Sequence, residues 1–333
     1  GTFIQNGVEY TLAHQFRLRP GVYSRLRDNG EIESHVNILP GQGAGHRVEL
    51  EPETGVFRLK FGQSRLPLVP LLRASGVPDS KLREVWGDDL ANANFRVADS
   101  STIDKLHQRL IRGAAPYDPT ERGKSVAAAF AAMKLDPDVM QRTLGKPYDR
   151  MTPDVYLDTT KKLLGIARGT EEPDDRDNLA YMTIHGPEDL ISERLARPHQ
   201  RLRRAFWKAS VKGDMSALAP NLMTKAVEAA LITSGLGQPG ESTNPLTILD
   251  QQGRVTRLGE GGIPDISAIP DESRSVQPSQ LGYVDFLATP ESLAAGVDSR
   301  MASSTRKGSD GRLYSPFIDA RTGDLTVQSP HQL

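Results

Sequence analysis

The residues with the most chemistry to offer fall into three stretches. The first is Gly259-Glu260-Gly261-Gly262, led in by Arg254 and Arg257. Backbone N–H groups of a glycine loop can cradle a phosphate, and guanidinium groups are planar donors for its oxygens. The loop lacks the Gly-Lys-Ser/Thr ending of a P-loop and no strong apolar strand leads into it, so a structural turn is the competing reading. The second is the basic run Arg194, Arg197, Arg201, Arg203, Arg204, Lys208 and Lys212, with Phe206 and Trp207 inside it. It suits either phosphate contact or a solvated helix face. The third is Asp174, Asp175 and Asp177, which would attract a cation; EF-hand spacing is missing, so a solvated loop is the plainer reading. No HExxH occurs, and no two His stand at i, i+4 on a helix. His14, His35 and His46 could meet in space, against the plainer reading of separate structural roles. No Gly-x-Ser-x-Gly elbow supports a serine hydrolase.

Composition narrows the classes. The 333 residues suffice for two or three domains. With 37% hydrophobic and 25% charged residues the chain reads as globular. Cysteine is absent, which removes disulfides, thiolate zinc sites and thiol nucleophiles. The net charge of −1 means that any nucleic-acid contact is a local patch or is shared with partner chains. No run reaches the ~18 apolar residues of a membrane span, and no secretion signal is visible. The chain begins with Gly1 rather than Met, so the native start can lie upstream. Its 30 Gly and 23 Pro favour a loop-rich α+β, multi-domain fold over a helical bundle: antiparallel β elements with helical insertions.

The elements that must position these groups follow from periodicity. Phe3, Ile4, Val8, Tyr10 and Leu12 form a hairpin about Asn6-Gly7, and Arg19-Pro20-Gly21 is a second turn. Residues His35–Leu39, Arg47–Leu50 and Val56–Phe61 alternate with period 2, with Glu53-Thr54-Gly55 as a turn; Gly41–Gly45 sits between strands as a hairpin or bulge. Helical spacing then covers Pro67–Ala74, Asp79–Val85, Thr102–Arg112, Ser125–Met133 and Thr152–Ala167, with Gly113–Gly123 read as a loop. A long helix follows over Pro187–Lys212, broken near Pro198, and another over Asn221–Ser234. Gly235–Ser242 is a breaker. Asn244–Glu291 reads as a rigid Gly/Pro loop region, a poor core but a plausible ligand contact. Two strands, Leu313–Ile318 and Asp324–Val327, end the pattern. No internal repeat is present.

At these residues the chain resembles the β subunit of multisubunit DNA-directed RNA polymerases. Asn244-Pro245-Leu246, Arg254, Leu258-Gly259-x-Gly261-Gly262, Val276-x-Pro278, Gly282 and Thr289-Pro290-Glu291 stand in the order of the family's fork region. Gly1-Thr2-Phe3-Ile4-x-Asn6-Gly7, Gln15, Arg19-Pro20-Gly21-Val22-Tyr23, Glu51-Pro52, Arg65-Leu66-Pro67 and Leu71-Leu72-Arg73-Ala74 resemble its lobe region. Asp174-Asp175-Arg176-Asp177-Asn178-Leu179 resembles the segment that ends the lobe. The chain departs at Glu260, where bacterial β has Pro, and at Ser292, where it has Gly. The likeness is weakest from Val97 to Arg150.

The resemblance implies a layout: residues 1–18 as the end of a protrusion-like β region, 19–183 as a reduced lobe, 184–240 as a helical return and 241–333 as the fork. It implies nucleotidyl transfer by an assembly in which this chain is not catalytic alone. The Mg2+ ions would be held by a β′-like partner, since the β′ magnesium motif and the later half of β are absent here. Partners would be β′-like subunits, a second β-like chain, the DNA template, nascent RNA and NTP substrates, in a bacterial cytoplasm or a virion, as in the split β subunits of giant bacteriophages. By resemblance Leu258, Gly259, Glu260, Gly261 and Gly262 lie where downstream DNA separates, Arg254 and Arg257 stabilise that loop or face phosphate, Gln238 faces nascent RNA and Glu291 lies near the incoming nucleotide. Rifamycins bind the family's pocket at Gly235–Leu258. Pro239, Glu241, Gln251 and Thr256 replace the Phe, Asp, His and Ser of sensitive enzymes, which implies resistance. The alternative is a non-enzymatic β-like regulator that docks on a polymerase or on DNA.

Overall fold

The computed structural model describes residues 2–333 apart from 28, 112–115, 197–198, 214, 219–222 and 242. It is α+β, with several antiparallel sheets. The chain forms two compact units: Arg19–Arg176, and Gly1–Leu18 with Asp177–Leu333.

The discontinuous unit starts with strands β1 (Thr2–Gln5) and β2 (Val8–Leu12), a hairpin in which Phe3 pairs with Tyr10. Its turn is Asn6-Gly7, with φ of 51° and 80°, the positive pair that a two-residue hairpin requires and that Asn and Gly adopt most easily. Strand β3 (His14–Leu18) follows.

Residues 19–176 then build a meander in spatial order: β4 (Gly21–Leu26), β5 (Ile32–Asn37), β6 (His46–Glu51), β7 (Val56–Phe61) and β8 (Ser64–Pro67). Alternation sends Val22, Val36, Val48, Leu59 and Leu66 to one face. That face shares a core with helices α1 (Val69–Ala74), α2 (Asp79–Trp86), α3 (Asp88–Arg96), α4 (Ser101–Leu110), α5 (Pro119–Ala131), α6 (Pro137–Leu144) and α7 (Pro153–Ala167), through residues such as Leu72, Leu82, Leu106, Phe130 and Leu163. One expectation changes here. The stretch read as a loop to Gly123 becomes helix from Pro119, because the Asp118 side chain accepts the Thr120 N–H at 3.0 Å and Pro119 sits at the first helical position. Helix α6 starts the same way, with Asp136 accepting from Asp138 and Val139.

His46 shows what burial does to a titratable group. Its ring stacks on Phe61 at 4.8 Å and meets Phe130 edge-on. Nδ1 lies 3.1 Å from the Ala44 carbonyl, so it carries the proton, and Nε2 accepts the Tyr156 hydroxyl at 2.8 Å. The role is structural. Burial lowers its pKa from 6.5 to about 4. His35 is likewise lowered to about 4 by burial, then by Arg176, Arg47 and Arg25. Unfolded imidazole titrates near ~6.5. Between those pH values the unfolded chain binds the extra proton, so stability is full above the unfolded value and falls as pH drops toward the folded one. For His46 alone the loss is on the order of 3 kcal/mol. We expect His46→Gln to lose visibly less stability than the parent chain between pH 7 and pH 5 in urea unfolding. An equal loss would assign the acid sensitivity elsewhere.

The acidic segment 169–178 is only partly solvated, contrary to the plainer reading. Asp174 is ion-paired to Lys162 at 2.6 Å, and both side chains are nearly buried. Its other oxygen accepts the Ser24 N–H at 2.7 Å, tying the segment to β4. Burial still holds this carboxyl above the usual carboxylate range.

The chain returns to the first unit through β9 (Met182–His185), α8 (Pro187–Ala196), α9 (His199–Lys212) and α10 (Thr224–Glu228), which runs into a π-helical turn at Ala229–Thr233. Pro198, the expected break, and 221–222 of the next expected helix lie outside the described residues. Then come β10 (Gly237–Pro239), α11 (Pro245–Gln252), β11 (Arg254–Thr256), β12 (Val284–Asp285), β13 (Asp298–Met301), β14 (Arg306–Lys307), β15 (Leu313–Ile318) and β16 (Leu325–Gln328). Three sheets result, ordered β1-β2-β10, β12-β13-β11-β3-β9 and β14-β15-β16. Among the described residues no helix is long and apolar enough to cross a membrane.

Candidate functional site

Strand β11 is the middle strand of the five-stranded sheet. It runs parallel to β3, with Thr256 beside Gln15, and antiparallel to β13, with Thr256 opposite Asp298. All three of its residues are buried. The region expected to be a poor core therefore holds a core strand, which delivers the glycine loop.

The loop closes on itself. Gly259 N–H donates to the Ile263 carbonyl, Ile263 N–H to Arg257, Gly262 N–H to Gly259, and Glu260 N–H to Ser234. Those amides are committed to protein carbonyls, which decides for a shaped turn over a phosphate cradle. Gly261 has φ of 90°, and a Cβ there would lie 2.6 Å from the Arg17 guanidinium carbon. A Cβ on Gly262 would lie 2.4 Å from the Arg257 carbonyl oxygen and 2.7 Å from Gln15 Nε2. These glycines are there because other groups press against the backbone.

Those groups form a clamp. Gln15, fully buried, donates from Nε2 to the Leu258 carbonyl at 2.7 Å and accepts from Arg17 Nε at 2.6 Å. Arg17 also donates to Glu193 at 2.6 Å and to the Glu260 carbonyl at 3.2 Å. Arg194 pairs with the Glu260 carboxylate. At the loop's base Arg257 donates to Asp177 at 2.8 Å and to the Ser273 carbonyl at 3.1 Å, and Ser273 Oγ donates to Asp177 at 2.5 Å. Buried bonds to charged groups contribute about 1.5–3 kcal/mol each, and the more exposed Arg194–Glu260 pair less, so the loop is held from both ends. Its tip, Glu260 and Gly261, faces solvent.

Arg254 is buried too and donates to Asp298 at 2.8 Å. Arg254 and Arg257 are thus struts of the loop and its strand. Gln238, on β10, and Arg254 come together with Asp250, Thr289, Pro290, Asp298 and Arg300 around an open cleft of about 340 Å³. Glu291, the next residue after Pro290, is exposed. The basic run divides: Arg194 is spent on Glu260, whereas Arg203, Arg204, Lys208 and Lys212 of α9 face solvent beside exposed Phe206 and Trp207. Arg197 and the Arg201 side chain lie outside what the structure describes. The clamp residues Gln15, Arg17, Glu193 and Ser273 carried no sequence signal as a group. Only Gln15 stood out, through the family likeness. Among the described residues no three His, Asp or Glu side chains converge to hold a metal ion.

No protein-family model matches the chain. Curated relatives do. Over 359 residues it is 27% identical to the DNA-directed RNA polymerase subunit beta of Thermus aquaticus, which covers 98% of this chain and 32% of the relative. The subunit beta of Deinococcus radiodurans is 25% identical over 372 residues and that of Prochlorococcus marinus 24% over 359, with the same shares covered. The chain thus spans about a third of the length of the curated relatives it matches. Along nearly its whole length the chain is a homologue of the β subunit of DNA-directed RNA polymerase, matching one third of that subunit.

Proposed function

We propose that the chain works within a DNA-dependent RNA polymerase as the lobe, protrusion and fork part of β, lining the main channel. The observation that carries this is the clamped loop Leu258–Pro264 within a chain that aligns with β over 98% of its length. A loop already ordered by Gln15, Arg17 and Arg257 loses little further entropy when it meets DNA. Its exposed tip would sit where downstream strands separate, Gln238 would face nascent RNA, and Glu291 would lie near the incoming nucleotide. Such contacts hold a backbone without reading sequence. The nucleotidyl transfer, with its Mg2+, would fall to a β′-like partner, as the family likeness implies. The assembly would also hold a second β-like chain.

Native purification tests this. We expect the chain to co-purify with β′-like and further β-like sequence in a complex that extends RNA on a DNA template. Recovery alone, or on a host polymerase, would favour a regulator. The recovered partners also report whether this is a split β of a giant-bacteriophage enzyme.

Resistance to rifampicin belongs to the same proposal. Thr256 is fully buried and its hydroxyl accepts the Leu258 N–H at 3.1 Å, so it is turned away from any ligand. Pro239 and Glu241 are exposed and lack the shape and chemistry of the residues they replace. RNA synthesis by the complex is expected to persist at micromolar rifampicin; inhibition there would contradict the assignment.

A further inference from the structure

Helix α9 carries no carboxylate along its length. By the helical period Arg203, Arg204, Trp207, Lys208, Val211 and Lys212 share one face, and all six are exposed, Trp207 by 55%. Ala205 points the other way and is buried, with Leu202 and Ala209 half-buried beside it. Lys212 Nζ stands 5.9 Å from the centre of the Trp207 ring. Among the described residues the four cations have no ion-pair partner, whereas Arg194 of α8 is paired with Glu260. On a chain of net charge −1 this face is a local positive patch built around an open indole.

Unpaired cations call for a polyanion, and an indole among them calls for a flat apolar surface on that same polyanion. A single nucleic-acid strand supplies both, phosphates along its backbone and bases free to stack. A duplex keeps its bases stacked inside. A membrane surface would take cations on one side of a helix and apolar groups on the other, but here both stand on one side and the other packs on protein. No amide or hydroxyl lies among the six side chains, so the face has nothing with which to read base edges. That suits a strand of any sequence moving past. We infer that this face of α9 holds an unpaired DNA strand of the melted region, with a base stacked on Trp207 and flanking phosphates on Arg203, Arg204, Lys208 and Lys212. The inference rests on the polymerase reading and adds a strand-holding site to it. In that reading RNA is met by Gln238. DNA is parted at the loop whose tip Arg194 holds, and α9 follows Arg194's helix in the chain.

The test uses the native complex halted on a defined template. 5-Iododeoxyuridine is placed, one position at a time, through the melted stretch of either DNA strand; long-wavelength light couples this base to an aromatic ring stacked on it. We expect a link from an unpaired position to the peptide that holds Trp207, kept in Trp207→Phe and lost in Trp207→Ala. Arg204→Gln with Lys208→Gln should lower its yield severalfold, since both side chains are exposed and their loss removes phosphate contacts without disturbing the core. An unchanged yield in that double variant would overturn the inference. So would a link made only from paired DNA or from 5-iodouridine in the RNA, or no link at all, the result if a protein partner covers Trp207. RNA extension reports on the polymerase reading separately. A complex that extends RNA without the link sinks the inference alone, and one that extends no RNA sinks the reading and the inference with it.

Discussion

Arg257→Met is expected to destabilise the loop-bearing unit by about 3 kcal/mol, at the lower end of what a broken buried ion pair costs. The guanidinium is buried and holds Asp177 and the Ser273 carbonyl together. Methionine fills much of the space but takes the guanidinium away from Asp177, whose side chain is only 17% exposed. The lower end applies because Asp177 keeps some access to water. For a unit of this size the loss corresponds to a fall in Tm of roughly 6–12 °C. The pair can be isolated: Asp177→Leu added to Arg257→Met should recover part of the loss, since the stranded charge is gone. Simple addition of the two single losses would show that Asp177 and Arg257 do not act as a pair.

The second large effect is on activity. Deleting Glu260–Gly262 should leave the complex assembled but slow elongation on double-stranded template tenfold or more, with a single-stranded template spared. The deletion removes the exposed tip together with the carbonyl that Arg17 holds and the carboxylate that Arg194 holds. Glu260→Ala separates these roles. It removes a pair whose carboxylate is 41% exposed, worth at most about 1 kcal/mol, and should leave stability and elongation near those of the parent. Unchanged elongation after the deletion would count against a strand-separating loop.

How much of this was legible depends on distance along the chain. Local signals carried well. Asn6-Gly7 made its hairpin, the alternation over Val56–Phe61 made a strand, Thr152-Pro153 started a helix, and Leu313–Ile318 is a strand with those bounds. Short or polar elements did not. β11 has three residues, two of them polar, so no period exists to read, although it is the middle strand of its sheet. The starts of α5 and α6 were hidden because Asp-Pro reads equally as a turn and as a cap with proline at the first helical position. The clamp was least legible. Gln15 and Arg17 reach loop carbonyls 243 residues away, and nothing local marks a buried Gln or Arg as a strut. The arginines nearest the loop looked like phosphate ligands for the same reason, since their carboxylate partners, Asp177 and Asp298, lie 80 and 44 residues off.

The central claim is that the loop tip meets DNA at the point of strand separation, and a cross-link from that tip tests it most directly. With p-benzoyl-L-phenylalanine in place of Glu260, in a complex halted on a defined template, we predict a link to template or non-template DNA at the downstream edge of the melted region. The link should advance one base for each nucleotide added. A link confined to protein, or one that stays fixed as RNA grows, would contradict the account.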